Sequence, residues 1–416
     1  MKTSLLKALF SIKKENLPKV FIFAGIKIKI KDMSAIIEKA INKEGVKNVK
    51  TIQVDICKIA DELTSIKETQ KQDLTILSKQ ILDFETKIEL INNKIKVIQS
   101  FNERFLFKDD FHIKYAKNFY KDIENIDISE KYLRLIHNLD ENSITNVSKI
   151  LSRIIKIGTN NQIAYDIFSQ DEKLQIDKLV KNFYNNIFKL TDNCHAYQQY
   201  LLPINHFEPS VFYYKHQLDD LQNLNAFKDK DIVDVGGFIG DSALIFSSYT
   251  NRNVYSFEPV THNYNLMLKT IELNKSKNII PVNKALASSE EIQKISVDDS
   301  CSSINQSLAR TQTFEEIRTT TLDKYVLENN LNIGLIKVDI EGYEQEFLKG
   351  AIQTIKKFRP TLLISIYHNA SDFFDIKPLL ESWNLNYSFK IVRPVDMGIQ
   401  CETLLIAEQL EDFNNE

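Results

Sequence analysis

Cysteine is scarce in this 416-residue chain, and the four present, Cys57, Cys194, Cys301 and Cys401, form no C-x-x-C pair. That spacing excludes a disulfide framework and a zinc knuckle, and makes a reducing cytoplasm the expected home. Long apolar runs are missing too: none approaches the roughly 20 residues needed to span a bilayer. Lys2 and Lys7 precede no sustained apolar segment with a small-residue cleavage site, so no signal peptide is expected. Neither charge dominates, since 53 Lys and Arg against 56 Asp and Glu leave a net −3. That balance argues against a chain-wide nucleic-acid footprint, and no nucleic-acid partner is expected. Hydrophobic residues make up 43% and charged residues 26%, enough for a sizeable core and against global disorder. The length admits two or three domains.

Four zones follow along the chain. Residues 1–50 are small and basic, with Val20–Phe23 and Ile26–Lys31 reading as two short strands meeting at Ala24-Gly25. The second run alternates apolar residues with lysine, giving one apolar and one basic face. A solvated lysine face on a packed hairpin is the plainer reading. Docking on a partner protein, or peripheral contact with an anionic membrane at its inner face, is the functional one. Residues 51–101 carry Ile52, Ile56, Ile59, Leu63, Ile66, Gln70, Leu74, Leu77, Ile81, Phe84, Ile88, Ile91, Ile95 and Ile98 at steps of four and three. That is a coiled-coil seam with one stutter through Gln70, on a helix on the order of 70 Å long. Homo-oligomerisation is the expected way to bury so narrow a stripe; folding back on the downstream domain is the alternative.

Residues 102–200 read as helical, with apolar faces over Ser143–Ile157, ending near Gly158, and over Asp171–Leu190. Tyr115, Phe119, Tyr120, Phe183 and Tyr184 are expected in the core. From about residue 201 to 416, short apolar runs alternate with helical patterns. Strands are expected at Ile232–Val235, Val254–Phe257, Ile279–Val282, Leu335–Val338, Leu362–Tyr367, Tyr387–Ile391 and Leu404–Ala407. This alternation predicts an α/β fold with a parallel sheet covered by helices on both faces.

Glycine numbers only ten, and three stand together in Asp234-Val235-Gly236-Gly237-Phe238-Ile239-Gly240-Asp241-Ser242. The run reads as a strand–turn–helix corner with a backbone bare enough for a ligand. Glu258 ends the next apolar run, where a carboxylate can accept both hydroxyls of a ribose bound over the first turn. A nicotinamide dinucleotide wants G-x-G-x-x-G and a helix N-terminus for its pyrophosphate. Here Asp234 and Asp241 flank the turn and would repel phosphate. S-adenosyl-L-methionine, zwitterionic and without phosphate, fits better, with Asp234, Gly236, Gly237, Gly240, Asp241, Ser242 and Glu258 as its expected binding residues; a nicotinamide oxidoreductase is the rival.

Ligands of such sheets bind at the carboxyl ends of the strands, where Asp234, Glu258, Asp339 and His368 should gather. Asp339 should face the methyl end of the cofactor. There it could take a proton from an attacking hydroxyl or hold a divalent cation that lowers the hydroxyl's pKa. Asp339 and Glu341 alone are too few ligands to predict a metal site. His368 is the other expected proton acceptor. Glu208 and His216, before the first strand, are expected to close the site, and with Glu341 to touch substrate.

Residues from about Pro203 to Glu408 resemble the FkbM-type S-adenosylmethionine-dependent methyltransferases. The matching pieces are Asn205–Phe212, Asp234–Ser242, Phe257-Glu258-Pro259, Thr320–Asp323, Lys337–Glu344 and Glu402–Leu405, in the family's order. Gly237 stands where the family often has alanine, which reads as a harmless change. The fifth strand ends Ser-Ile-Tyr-His without the Glu that many members carry just before the histidine. The resemblance implies a Rossmann-like methyltransferase sheet and O-methylation, commonly of sugar hydroxyls in surface glycans, hence polysaccharide biosynthesis with a carbohydrate substrate. The alternative is a catalytically weak or inactive scaffold working through its coiled coil.

Overall fold

The computed structural model describes residues 112–160, 168–297 and 313–409, the backbone of 20–23 and 26–29, and position 87. The chain divides into two compact units, Met1–Phe107 and Lys108–Glu416. In the first, Val20–Phe23 pairs antiparallel with Ile26–Lys29, Val20 opposite Lys29 and Phe23 opposite Ile26. The expected coiled coil over 51–101, with the oligomer it implies, lies outside the described residues except for position 87.

The second unit is built on a seven-stranded sheet. In chain order its strands are β1 (Asp231–Val235), β2 (Val254–Phe257), β3 (Ile279–Val282), β4 (Ile333–Val338), β5 (Thr361–Ser365), β6 (Ser388–Val392) and β7 (Leu404–Glu408). Their order across the sheet is β3-β2-β1-β4-β5-β7-β6. The first five are parallel, while β7 runs antiparallel to both β5 and β6. The order reverses between β1 and β4, and the crevice at such a reversal is where an open α/β sheet takes its ligand.

The apolar runs form strands because each supplies side chains to both faces. Val233 and Val235 of β1, Ile336 and Val338 of β4, and Leu362 and Ile364 of β5 join one core. Ile232, Leu335 and Leu363, out of phase by one residue, join the other. Strands covered on both faces read as continuous apolar runs, so Asp234 and Lys337 within them stand out.

The first face is covered by helices from both ends of the unit. Ala116, Phe119 and Ile123 from the helix at 112–123, with Val147 and Ile154 of Glu141–Asn160, share the core with Phe373 and Phe374 of Ala370–Ser382. The helices of residues 112–160 therefore pack against the sheet. The helix Glu141–Asn160 runs through Gly158, where any β-carbon would overlap the Tyr120 ring. The helix Gln170–Asn182 ends eight residues before the expected Leu190. Ile187–Thr191 is instead a strand in a three-stranded antiparallel sheet with Cys194–Tyr197 and Tyr200–Leu202. Its aromatic residues Phe183 and Tyr197 fill the second core. Among the described residues no helix is long and apolar enough to cross a membrane.

Candidate active site

The turn after β1 is closed by its neighbours. Gly236 and Gly237 both donate their N–H to the Phe257 carbonyl, at 3.1 and 2.8 Å. Gly236 and Gly240 have φ of +81° and +83°, which glycine adopts without strain. A β-carbon on Gly236 would lie 1.9 Å from the Asp339 carbonyl oxygen, so the ends of β1 and β4 meet backbone to backbone. A β-carbon on Gly237 would lie 2.0 Å from Ser256 Oγ. The alanine expected to be harmless at Gly237 does not fit beside Ser256.

Beneath the turn is a buried ion pair. Asp234 and Lys337 are register partners on β1 and β4, with Lys337 Nζ 3.3 Å from Asp234 Oδ1. Lys337 also donates to the Gly236 carbonyl at 2.9 Å, and Ser256 Oγ donates to Asp234 Oδ2 at 2.7 Å. The ammonium thus ties the strand, the turn and the acid together. Lys337 escaped the sequence reading, though a lone lysine inside Leu335-Ile336-Lys337-Val338 was its signal.

Glu258, at the tip of β2, accepts from the Phe238 N–H at 3.0 Å and the Val260 N–H at 2.9 Å. Phe238 has a φ of +43°, unusual for a bulky residue, and Glu258 holds it there. Burial pushes the Glu258 carboxyl up to about 8, against the pull of those two N–H groups. Gly236, Phe238, Glu258, Asn263, Asp339 and Tyr343 line one cleft. The expected cofactor residues thus divide. Gly236 and Glu258 face the cleft together with Asp339 and Glu341, while Asp234, Gly237, Gly240, Asp241 and Ser242 build the wall behind it.

Asp241, first residue of the helix Asp241–Phe246, is buried, which pushes its carboxyl up to about 6. His216 Nε2 is 3.0 Å from Ser242 Oγ, and its ring stacks on Phe246 at 5.2 Å. Burial drives its pKa down to about 3. His216 is therefore a neutral brace behind that helix, which corrects its expected place at the mouth of the site. Glu208 precedes the helix Pro209–Phe212, 3.9 Å from His206 Nε2, and its charge is felt by Glu402.

The opposite wall is acid-rich. Asp339 follows β4, and its N–H donates to the Val235 carbonyl at 3.0 Å. Tyr367 O–H lies 3.4 Å from Asp339 Oδ1 and 3.2 Å from Glu402 Oε1. His368, just past β5, has its side chain fully enclosed. Its Nδ1 is 2.9 Å from Glu344 Oε1, while its Nε2 is 3.4 Å from Asp339 Oδ1 and 3.8 Å from Glu341 Oε1. Burial disfavours charge on the ring, but Glu344, Glu341 and Asp339 outweigh it and push the pKa up to about 10. An imidazole that already holds its proton at neutral pH does not accept another, so the proton-acceptor role expected of His368 is corrected to that of a charge partner. Glu344, Tyr367 and Glu402 were not assigned roles from sequence. Glu344 follows Asp339 by five residues, and the left-handed pair Glu341 and Gly342, φ +55° and +85°, turns it back toward His368.

Residues 234–389 match the family model described as the methyltransferase FkbM domain. Among solved structures the chain is similar to the methyltransferase FkbM from Methylobacillus flagellatus KT, at 18% identity and a TM-score of 0.43. The match covers 67% of this chain and 58% of that one, so this chain spans well under two thirds of its relative's length. It is also similar to the N-terminal domain of human METTL16 in complex with SAH, at 13% identity and a TM-score of 0.31, covering 57% and 80% of the two chains. For M. jannaschii TYW2 in complex with AdoMet the values are 14%, 0.25, 53% and 82%. No curated protein matches the chain.

Proposed function

Because residues 234–389 match the model of the methyltransferase FkbM domain, we propose that the chain is an S-adenosyl-L-methionine-dependent O-methyltransferase acting on a sugar hydroxyl during surface-glycan biosynthesis. The observation that carries this reading is the single cleft shared by Gly236, Glu258 and Asp339. Glu258 offers its carboxyl group to the ribose hydroxyls, and the Gly236 backbone lines the cleft beside it. Asp339 lines the same cleft and is the group we assign to the acceptor hydroxyl.

The bond changes ask little else of the protein. The acceptor oxygen forms a bond to the methyl carbon while the carbon–sulfur bond breaks, and S-adenosylhomocysteine leaves. The hydroxyl proton passes to the Asp339 carboxylate. In-line positioning and exclusion of water supply the rest of the acceleration. Asp339 and Glu341 line the acceptor side with negative charge. Such a wall accepts hydrogen bonds from neutral polyols and repels phosphate-rich acceptors, which supports a carbohydrate.

Self-association through residues 51–101 rests on the sequence pattern, and a site at the inner face of the membrane on the basic segment before it. Mass spectrometry of the host's surface glycans, with and without this protein, tests the substrate. The expected result is the loss of one methyl group from a defined sugar when the protein is removed. Unchanged glycans from cells lacking the protein would contradict the reading and favour a scaffold.

A further inference from the structure

The acid-rich wall joins Asp339 to two groups that the methyl transfer described above does not use, Glu344 and His368. One ligand atom each from Asp339, Glu344 and His368 lies within 4.8 Å of the other two. The side chains of Glu344 and His368 are fully enclosed, and that of Asp339 is 26% exposed, toward the cleft. A cluster of acids alone would mean little, but here the buried atoms are unsatisfied. Both imidazole nitrogens of His368 and Oε2 of Glu344 lack any hydrogen-bond partner. The Nδ1 and Glu344 Oε1 atoms are 2.9 Å apart, an ion-pair distance, which leaves Nε2 as the nitrogen facing Asp339. Buried polar atoms in native proteins are nearly always paired, so the unsatisfied His368 Nε2, 3.4 Å from Asp339 Oδ1, points to a missing partner.

The charge balance points the same way. Glu341 lies 3.8 Å from His368, so three carboxylates face a single imidazole, and Asp372, its carboxyl pushed up to about 8 by burial, abuts Glu344. The nearby Lys337 is engaged by Asp234 and the Gly236 carbonyl. One imidazolium offsets only part of this buried charge, and a divalent ion in place of its proton offsets more.

We propose that Asp339, Glu344 and His368, the imidazole giving up its extra proton to solvent, bind a divalent first-row transition-metal ion at the cleft wall. Two carboxylates and one imidazole form a mixed oxygen and nitrogen set, which suits Mn²⁺ or Zn²⁺ better than the all-oxygen preference of Ca²⁺ or Mg²⁺. Asp339 links the ion to the cleft, and the open coordination positions face the acceptor side. The role of the ion, though not its binding, rests on the methyltransferase reading. An acceptor hydroxyl on an open position loses its proton more readily, with the same bonds made and broken.

Mn²⁺ titration of the full chain, followed by the electron paramagnetic resonance signal of free Mn²⁺, tests the site, with Zn²⁺ competition and S-adenosylmethionine calorimetry on the same samples. One Mn²⁺ per chain is expected, with Glu344→Gln, His368→Gln and Asp339→Asn each weakening it by about tenfold or more. Asp339→Asn at the cleft edge serves where a buried variant fails to fold, as circular dichroism will show. Wild-type protein that binds neither ion, or folded variants that bind Mn²⁺ as well as wild type, would overturn the site. In that case intact cofactor binding leaves the methyltransferase reading standing. Metal binding without cofactor binding supports the site and removes that reading.

Discussion

Asp234 and Lys337 face each other across adjacent parallel strands, 3.3 Å apart, with side chains 0% and 4% exposed. The pair sits directly under the glycine turn, and Lys337 reaches past its partner to the Gly236 carbonyl. The shape of the cleft therefore depends on a lysine that does not line it.

Lys337→Met should leave Asp234 buried without its cation and cost about 3–5 kcal/mol, the usual penalty for breaking a buried pair. Urea unfolding measures the loss. The double variant Asp234→Asn with Lys337→Met should recover part of it, since no lone charge remains. A single variant as stable as wild type would show that the pair does not hold the turn.

Gly237→Ala should destabilise the turn, because the new β-carbon would sit 2.0 Å from Ser256 Oγ. Removing that oxygen with Ser256→Ala in the same chain should restore much of the melting temperature, although Met267 Cε remains 2.8 Å away. Thermal unfolding of the single and double variants checks the coupling, and additive effects would contradict it.

The seven strands were legible because strands buried on both faces must be continuously apolar, and each expected run falls on an observed strand within two residues. Gly236, Glu258 and Asp339 were legible as acids and glycines at strand ends. Ile187–Thr191 was misread as helix because its apolar residues continued the helical spacing of Leu174 to Phe183. Only the pairing with Cys194–Tyr197 makes it a strand. The state of His368 was illegible because the carboxylates that set it come from β4's end and the turn after it, brought near only by the fold. The alternation of lysine at 27, 29 and 31 and the heptads of 51–101 remain sequence signals alone.

Glu172 supplies a pH signature remote from the cleft. Burial would raise its carboxyl, but Arg153 at 2.5 Å and Ser169 outweigh burial and hold it at about 2, below the ordinary 4.5. A folded-state pKa below the unfolded one contributes stability above about pH 4.5, and that contribution is lost as pH falls toward about 2. The difference in unfolding midpoint between wild type and Glu172→Gln should therefore shrink over that window. A difference independent of pH would contradict the assignment.

Asp339→Asn should keep cofactor affinity near wild type, since Glu258 and the turn are untouched. Turnover should fall by roughly a hundredfold or more, the usual scale for a general base. Steady-state kinetics with a methyl acceptor, paired with calorimetry of the cofactor, separates the two effects. Unchanged turnover would remove Asp339 from the reaction.

Calorimetric titration of the full chain with S-adenosylmethionine, and in parallel with NAD, bears most directly on the central claim. Saturable binding of one S-adenosylmethionine per chain, abolished by Gly236→Val and with no heat from NAD, is the predicted result. NAD binding without S-adenosylmethionine binding would contradict it.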